Sequence, residues 1–220
     1  GFGHDFACFL ATTGGIKCWN ESLPSGSFDD FGGIENDAWT SVALHFANKD
    51  ACAQRADGTF ACATNPPNGN SQVADIPYAP RRPQKIATGA SATILLRSDG
   101  SLELLGTLVN QKGEEVSVDF SPEMLPSPVV DVDVASSHVC ALGAGGQVFC
   151  WGDNSYGQLG NGTTEASVEP VIHADLQAKS IATGERHTCV TLTSGGLACW
   201  GNNQSQQFIF SNKEESLVPE

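Results

Sequence analysis

Cys140-Ala-Leu-Gly-Ala-Gly-Gly-Gln-Val-Phe-Cys150 reads as a closed β-hairpin. Count the first cysteine as position 0. If it faces +10, then +1 faces +9, +2 faces +8 and +3 faces +7, leaving a three-residue loop at +4 to +6. Such loops commonly end in a residue with positive φ, where glycine costs least. Gly146 stands at +6. The frame recurs along the chain: Cys8 and Cys18 around Gly14, Cys52 and Cys62 around Gly58, Cys189 and Cys199 around Gly195. A fifth copy carries Ile94 and Leu104 around Gly100, an apolar pair in place of a covalent one. Asp57 and Asp99 add a turn residue just before the glycine. Successive copies start 44, 42, 46 and 49 residues apart, so the chain is a repeat protein.

Directly opposed cysteines on neighbouring strands are close enough to bridge. The uniform spacing and the Ile94/Leu104 replacement favour pairing each cysteine with the one ten residues on. Closing so short a loop stabilises by at most ~2–3 kcal/mol per bridge, since the hairpin already holds its ends together. Both faces of the hairpin are apolar. Position +8 is Ile16, Phe60, Leu102, Val148 or Leu197, and position +1, on the other face, is Phe9, Ala53, Leu95, Ala141 or Val190. A sheet with one solvated face would alternate with polar residues. Sheets covered on both sides must stack on one another, which predicts an all-β, propeller-like array; a linear solenoid is the competing architecture.

His138-Val-Cys-Ala-Leu142, Gly146-Gln-Val-Phe-Cys-Trp-Gly152, Asn154-Ser-Tyr-Gly-Gln-Leu-Gly160 and Gly162-Thr163 resemble one complete repeat of the RCC1 (regulator of chromosome condensation) family. Gly184-Glu-Arg-His-Thr-Cys189 with Cys199-Trp-Gly-Asn202 looks like a second, and the first copy is similar, while the second and third are degenerate. The resemblance implies a β-propeller of four-stranded blades, usually about seven. Cysteine-paired versions look like the family's extracellular and bacterial-type members. Residues 1–220 are expected to form one RCC1-like propeller domain, with repeats near 1–44, 45–86, 87–131, 132–180 and 181–220. Five repeats of this form, a leading strand mostly missing at Gly1 and an end soon after Pro219 favour part of a larger propeller over a ring closed by residues 216–220.

Fully paired cysteines predict an oxidising compartment, outside the cell or on its surface. Cys-x₂-Cys spacing for zinc is absent. So is any apolar run of about 18 residues that could span a membrane. Net charge is −14, which argues against a phosphate backbone as partner. Arg81, Arg82 and Lys85 are too few to make a basic patch. The family prototype's roles on chromatin and the small GTPase Ran do not fit an acidic, disulfide-bonded chain.

No catalytic site, metal or cofactor is expected. Gly-x-Ser-x-Gly, His-Glu-x-x-His and a phosphate loop are absent, and pairing leaves no thiol nucleophile. His138 and His187 share one repeat position, as do Trp19, Trp151 and Trp200, so they read as scaffold and inter-blade packing. Asp131-Val-Asp133 reads as a strand rather than a calcium loop, and Asp153, Asn154, Asn202 and Asn203 as turn residues. Of three Asn-x-Ser/Thr sequons, Asn20 and Asn203 are the candidate glycan sites, and Asn161 falls inside the repeat's own motif.

What varies is the segment after each hairpin: residues 20–40, 64–82 and 107–126 in copies one to three, and Gln206-Gln-Phe-Ile-Phe210 in copy five. Divergent loops on rigid blades make a specific binding face. A bacterial propeller of this kind inhibits β-lactamase through such loops. Trp39, Phe208 and Phe210 are the candidate contact residues. The expectation is an extracellular, non-catalytic module that binds a protein or glycan. The rival is a structural subunit of a larger extracellular assembly, with a partner chain completing the propeller; an enzyme inhibitor or an enzyme comes third.

Overall fold

In a computed structural model, residues 84–89, 92–110, 112–208 and 214–219 are described in full. Residues 2–3, 6–10, 16–20, 29–30, 39–45, 50–55, 60–64, 72–75 and 83 are described as strand backbone. The chain divides into two compact units, Gly1–Gln84 with Thr88–Ala90 and Lys85–Ala87 with Ser91–Glu220.

In the first unit, Phe2–Gly3 (β1), Phe6–Leu10 (β2), Ile16–Asn20 (β3) and Asp29–Asp30 (β4) form one antiparallel meander. Trp39–His45 (β5), Asp50–Arg55 (β6), Phe60–Thr64 (β7) and Gln72–Asp75 (β8) form the next. The predicted register holds in both: Cys8 opposes Cys18, and Cys52 opposes Cys62. Whether these sulfurs are bonded lies outside the described residues.

A third sheet joins Pro83–Thr88 (β9), Ala92–Arg97 (β10) and Leu102–Gly106 (β11). It has three strands rather than four. Copy three lacks the Gly-Gln-Leu-Gly turn, and its chain instead folds Leu108–Val109 (β12) onto Glu115–Val116 (β13) as a separate hairpin. The fourth sheet is complete, running Val129–Val134 (β14), His138–Gly143 (β15), Val148–Gly152 (β16) and Ser167–His173 (β17). So is the fifth, with Ala178–Thr183 (β18), His187–Leu192 (β19), Leu197–Asn202 (β20) and Glu215–Ser216 (β21). Ser216 pairs with Gly201, so the C-terminal strand belongs to the fifth sheet.

The hairpins have the predicted geometry. Cys140 opposes Cys150, and Gly143 N–H donates to Gln147 O at 2.8 Å across the loop. Gly146 has φ 84°, and its counterparts Gly100 and Gly195 have 82° and 89°. Cys140–Cys150 and Cys189–Cys199 are disulfides, with Cα–Cα separations of 4.2 and 4.1 Å. Short separations of this kind mark the non-hydrogen-bonded pairs of an antiparallel ladder, where side chains come closest. Ile94 opposes Leu104 as expected. Ile94 is fully buried, but Leu104 is only half-buried, so one side of that apolar pair is less covered than the sequence suggested.

The core is a stack. Val139, Ala141, Phe149 and Trp151 of the fourth sheet pack with Ile94, Leu96 and Leu108 on one side. Cys140, Leu142, Val148 and Cys150, the alternate positions, pack with Ile181, Val190, Ala198 and Trp200 of the fifth. Every residue of β15 and β16 is buried. This two-sided burial is what the absence of a polar face predicted. The Trp-Gly pair near the end of β16 and of β20 has a steric cause. A Cβ on Gly152 would lie 2.5 Å from Ser137 O, and one on Gly201 would lie 2.5 Å from Arg186 O.

Candidate functional site

The segments after the third and fourth hairpins diverge in structure as they do in sequence. In copy four the segment is a closed polar knot. Asn154 Nδ2 donates to Asn161 Oδ1 and Thr163 O, and Leu159 N–H donates to Asn154 Oδ1 at 2.8 Å. Gln158 Nε2 donates to Asp153 Oδ2 at 3.0 Å. Asp153, Asn154 and Gln158 are buried, and each has partners, as buried polar groups require. The knot also locks the next sheet. Gln158 O accepts from Trp200 Nε1 at 2.8 Å and from Thr188 Oγ1 at 3.0 Å.

His138 belongs to the same lock. Its Nε2 lies 3.0 Å from Thr188 Oγ1. The Thr188 hydroxyl proton is spent on Gln158 O, so His138 must donate from Nε2, which leaves its Nδ1 as an unpartnered acceptor. Burial, reinforced by the nearby His187 and opposed by Asp153, pushes the His138 pKa down to about 3. The ring is neutral and enclosed, which suits a scaffold role. A second tie between these sheets runs from Thr183 N–H (2.7 Å) and Oγ1 (3.1 Å) to the Asp133 carboxylate. Burial raises the Asp133 pKa despite those bonds. The Lys85 ammonium bonds Asp131.

Copy three builds something more open. Its turn Asp99-Gly100-Ser101 and the segment carrying Pro122, Leu125, Pro126 and Pro128 border a groove of about 410 Å³. The short 3₁₀ turn Pro122–Met124 shapes one wall. Asp99 Oδ1 is held at the rim, accepting from Ser101 N–H at 3.0 Å and Ser101 Oγ at 2.6 Å. The floor is apolar and proline-lined, with a carboxylate at its edge. Prolines lose little conformational freedom on binding, so such a wall is pre-ordered. Among the described residues, no three His, Cys, Asp or Glu side chains converge as metal ligands. No helix among them is long and apolar enough to cross a membrane.

The sequence pointed elsewhere for the contact residues. Phe208 is only 1% exposed, edge-on to His187 with ring centroids 5.9 Å apart, and its N–H donates to Asn203 Oδ1. It is a packing residue at the position where copy four has Leu159, which corrects its assignment to a contact loop. Asn203 is 2% exposed, which removes it as a glycan site. Trp39 opens β5, and Asn20 ends β3, but their side chains, and Phe210 altogether, lie outside the described residues. Sequence reading missed the groove. Its signal was the proline cluster Pro122-Glu-Met-Leu-Pro-Ser-Pro128, at the end of the divergent segment of copy three.

Residues 145–191 match the regulator of chromosome condensation (RCC1) repeat, and residues 129–158 and 178–207 match a second form of the same repeat. Residues 129–207 carry RCC1 repeats. Over 53 residues the chain is 42% identical to the human E3 ubiquitin-protein ligase HERC2, a match covering 24% of this chain and 1% of that protein. The RCC1 fold itself extends much further. Yeast RCC1 (Prp20) superimposes on 99% of this chain and 61% of its own, with a TM-score of 0.72 at 16% identity. The ectodomain of the Arabidopsis thaliana receptor kinase ACR4 aligns over 91% of this chain and 61% of its own, with a TM-score of 0.57 at 16% identity. The fold is therefore an all-β, RCC1-like propeller fold, and the chain spans less than two thirds of each of these proteins.

Proposed function

We propose that this chain is a non-catalytic binding module on an RCC1-repeat scaffold, working outside the cell and recognising a protein or glycan through the loops of its sheets. The observation that carries this reading is the contrast between two segments of one repeat. The copy-four segment is consumed in locking its neighbour, whereas the copy-three segment frees a proline-walled groove beside Asp99. Disulfides in two described hairpins and an ectodomain among the structural neighbours support an oxidising compartment.

The test is a panel of immobilised glycans and secreted-protein ectodomains probed with the purified chain. A ligand lost on Pro126→Asp or Asp99→Lys, with the fold retained by circular dichroism, is the expected result. A panel without a ligand, or a ligand indifferent to both variants, overturns the reading. One observation favours the structural-subunit alternative. Leu197 is 52% exposed on the face of the fifth sheet where the fourth has the fully buried Val148. A further sheet of the same kind would cover it, and the chain would then self-associate in sedimentation experiments while Leu197→Glu would not.

A further inference from the structure

We infer that Asn161 is an N-glycan acceptor and that Asn203, the more promising sequon by sequence, is not. Asn161 of the sequon Asn161-Gly162-Thr163 stands between Gly160 and Gly162, whose φ values of 75° and 82° turn the chain sharply. Residues 161–166 are all exposed. A Cβ placed on Gly162 would touch only Val218, at 3.9 Å, so the turn is uncrowded.

The folded turn also accommodates a sugar on the amide nitrogen. Asn161 Oδ1 accepts from Thr163 N–H at 3.1 Å, Thr163 Oγ1 at 2.8 Å and Asn154 Nδ2 at 3.0 Å. The structure gives Oδ1 all the work, so replacing one Nδ2 hydrogen with a sugar disturbs none of these bonds. In the transfer, Nδ2 bonds to C1 of an oligosaccharide carried on a lipid diphosphate. The C1–O bond breaks, the lipid diphosphate leaves, and Nδ2 gives its proton to solvent. Asn203 offers the reverse situation. It is enclosed, its Oδ1 accepts from Phe208 N–H at 2.7 Å, and its own N–H donates to Glu214 O. Transfer before folding preserves the difference, because only a glycan on Asn161 can remain outside once the fifth sheet closes. Strand β17 begins at Ser167 with Val168 and Ile172, 51% and 45% exposed, so the sugar would stand beside an apolar edge and shield it from pairing with other chains.

The inference rests on the extracellular reading, and the experiment separates the two. The full chain carrying Asn20→Gln is secreted from eukaryotic cells, its thiols are counted, and its peptides are mapped after enzymatic deglycosylation in ¹⁸O-water. The expected result is ¹⁸O-labelled aspartate at 161 and unmodified Asn203. Asn161→Gln and Thr163→Ala should abolish the label, and Thr163→Ser should retain it. A secreted, disulfide-bonded chain with bare Asn161 overturns the inference and leaves the extracellular reading standing. Retention inside the cell with free thiols overturns both.

Discussion

Two tryptophans at one repeat position show how much a single residue depends on its neighbour. Trp200 donates its indole N–H to Gln158 O. Trp151 is equally buried, stacks edge-on to Phe120 at 5.2 Å, and has no acceptor for Nε1. The difference lies in the preceding copy, since copy three lacks the turn that would supply the carbonyl. A hydrogen bond contributes about 1 kcal/mol net, while an orphaned buried donor costs a comparable amount. Trp200→Phe should therefore destabilise more than Trp151→Phe by ~1–2 kcal/mol in denaturant unfolding; equal losses would contradict the assignment. His138 gives the residue-scale pH prediction. Its folded pKa, about 3, lies below the unfolded value of 6.5. Between those values the unfolded chain takes up a proton that the folded chain refuses, so stability falls as pH drops through the window. At roughly 1.4 kcal/mol per unit the loss reaches a few kcal/mol near the bottom. His173 and His187, also lowered by burial, act in the same direction. His138→Gln should lower the neutral-pH melting temperature but flatten its fall below pH 6.5.

At the scale of elements, the hairpin is the unit that repeats and the segment after it is the unit that varies. Ile94 and Leu104 stand where the other copies have bonded or directly opposed cysteines. Replacing both with cysteine should form a bridge in the folded chain, leaving no thiol to react with a maleimide. Two reactive thiols in the folded variant would show that the third hairpin's register is misread. The net gain should fall short of the ~2–3 kcal/mol loop-closure figure, because Ile94 fills the core between the third and fourth sheets and its loss leaves a void. Asp133 ties the fourth sheet to the fifth through Thr183, which explains why an acidic alternation near the start of β14 is no calcium loop.

Across the whole chain, 25 acidic residues against 11 basic ones give a net charge of −14. Neutralising a phosphate backbone needs clustered cations. Lys85 and Arg97, two of the few described cations, are engaged by Asp131 and Glu103. The chain should pass through heparin or immobilised DNA at near-physiological ionic strength; salt-sensitive retention would contradict this. Charge also argues that any partner at the groove beside Asp99 meets an acidic surface, so a basic or neutral ligand suits it best.

The hairpins were legible before any folding: their register, the glycine turns, the Cys140–Cys150 and Cys189–Cys199 bridges, and the two-sided sheets. That is so because those features are local. A period of two sets the faces, and ten residues of spacing set the bridge, with no distant partner needed. Packing alone reveals that Phe208 and Asn203 are enclosed while Asn161 is exposed, that Trp151 lacks the acceptor Trp200 has, and that copy three opens a groove. Trp200 depends on Gln158, 42 residues back in the neighbouring copy, while Phe208 and Asn203 are enclosed by His187 and Glu214 of their own copy and the groove lies between two segments of copy three. Burial is a property of such contacts, and the residue's own type and spacing do not carry it.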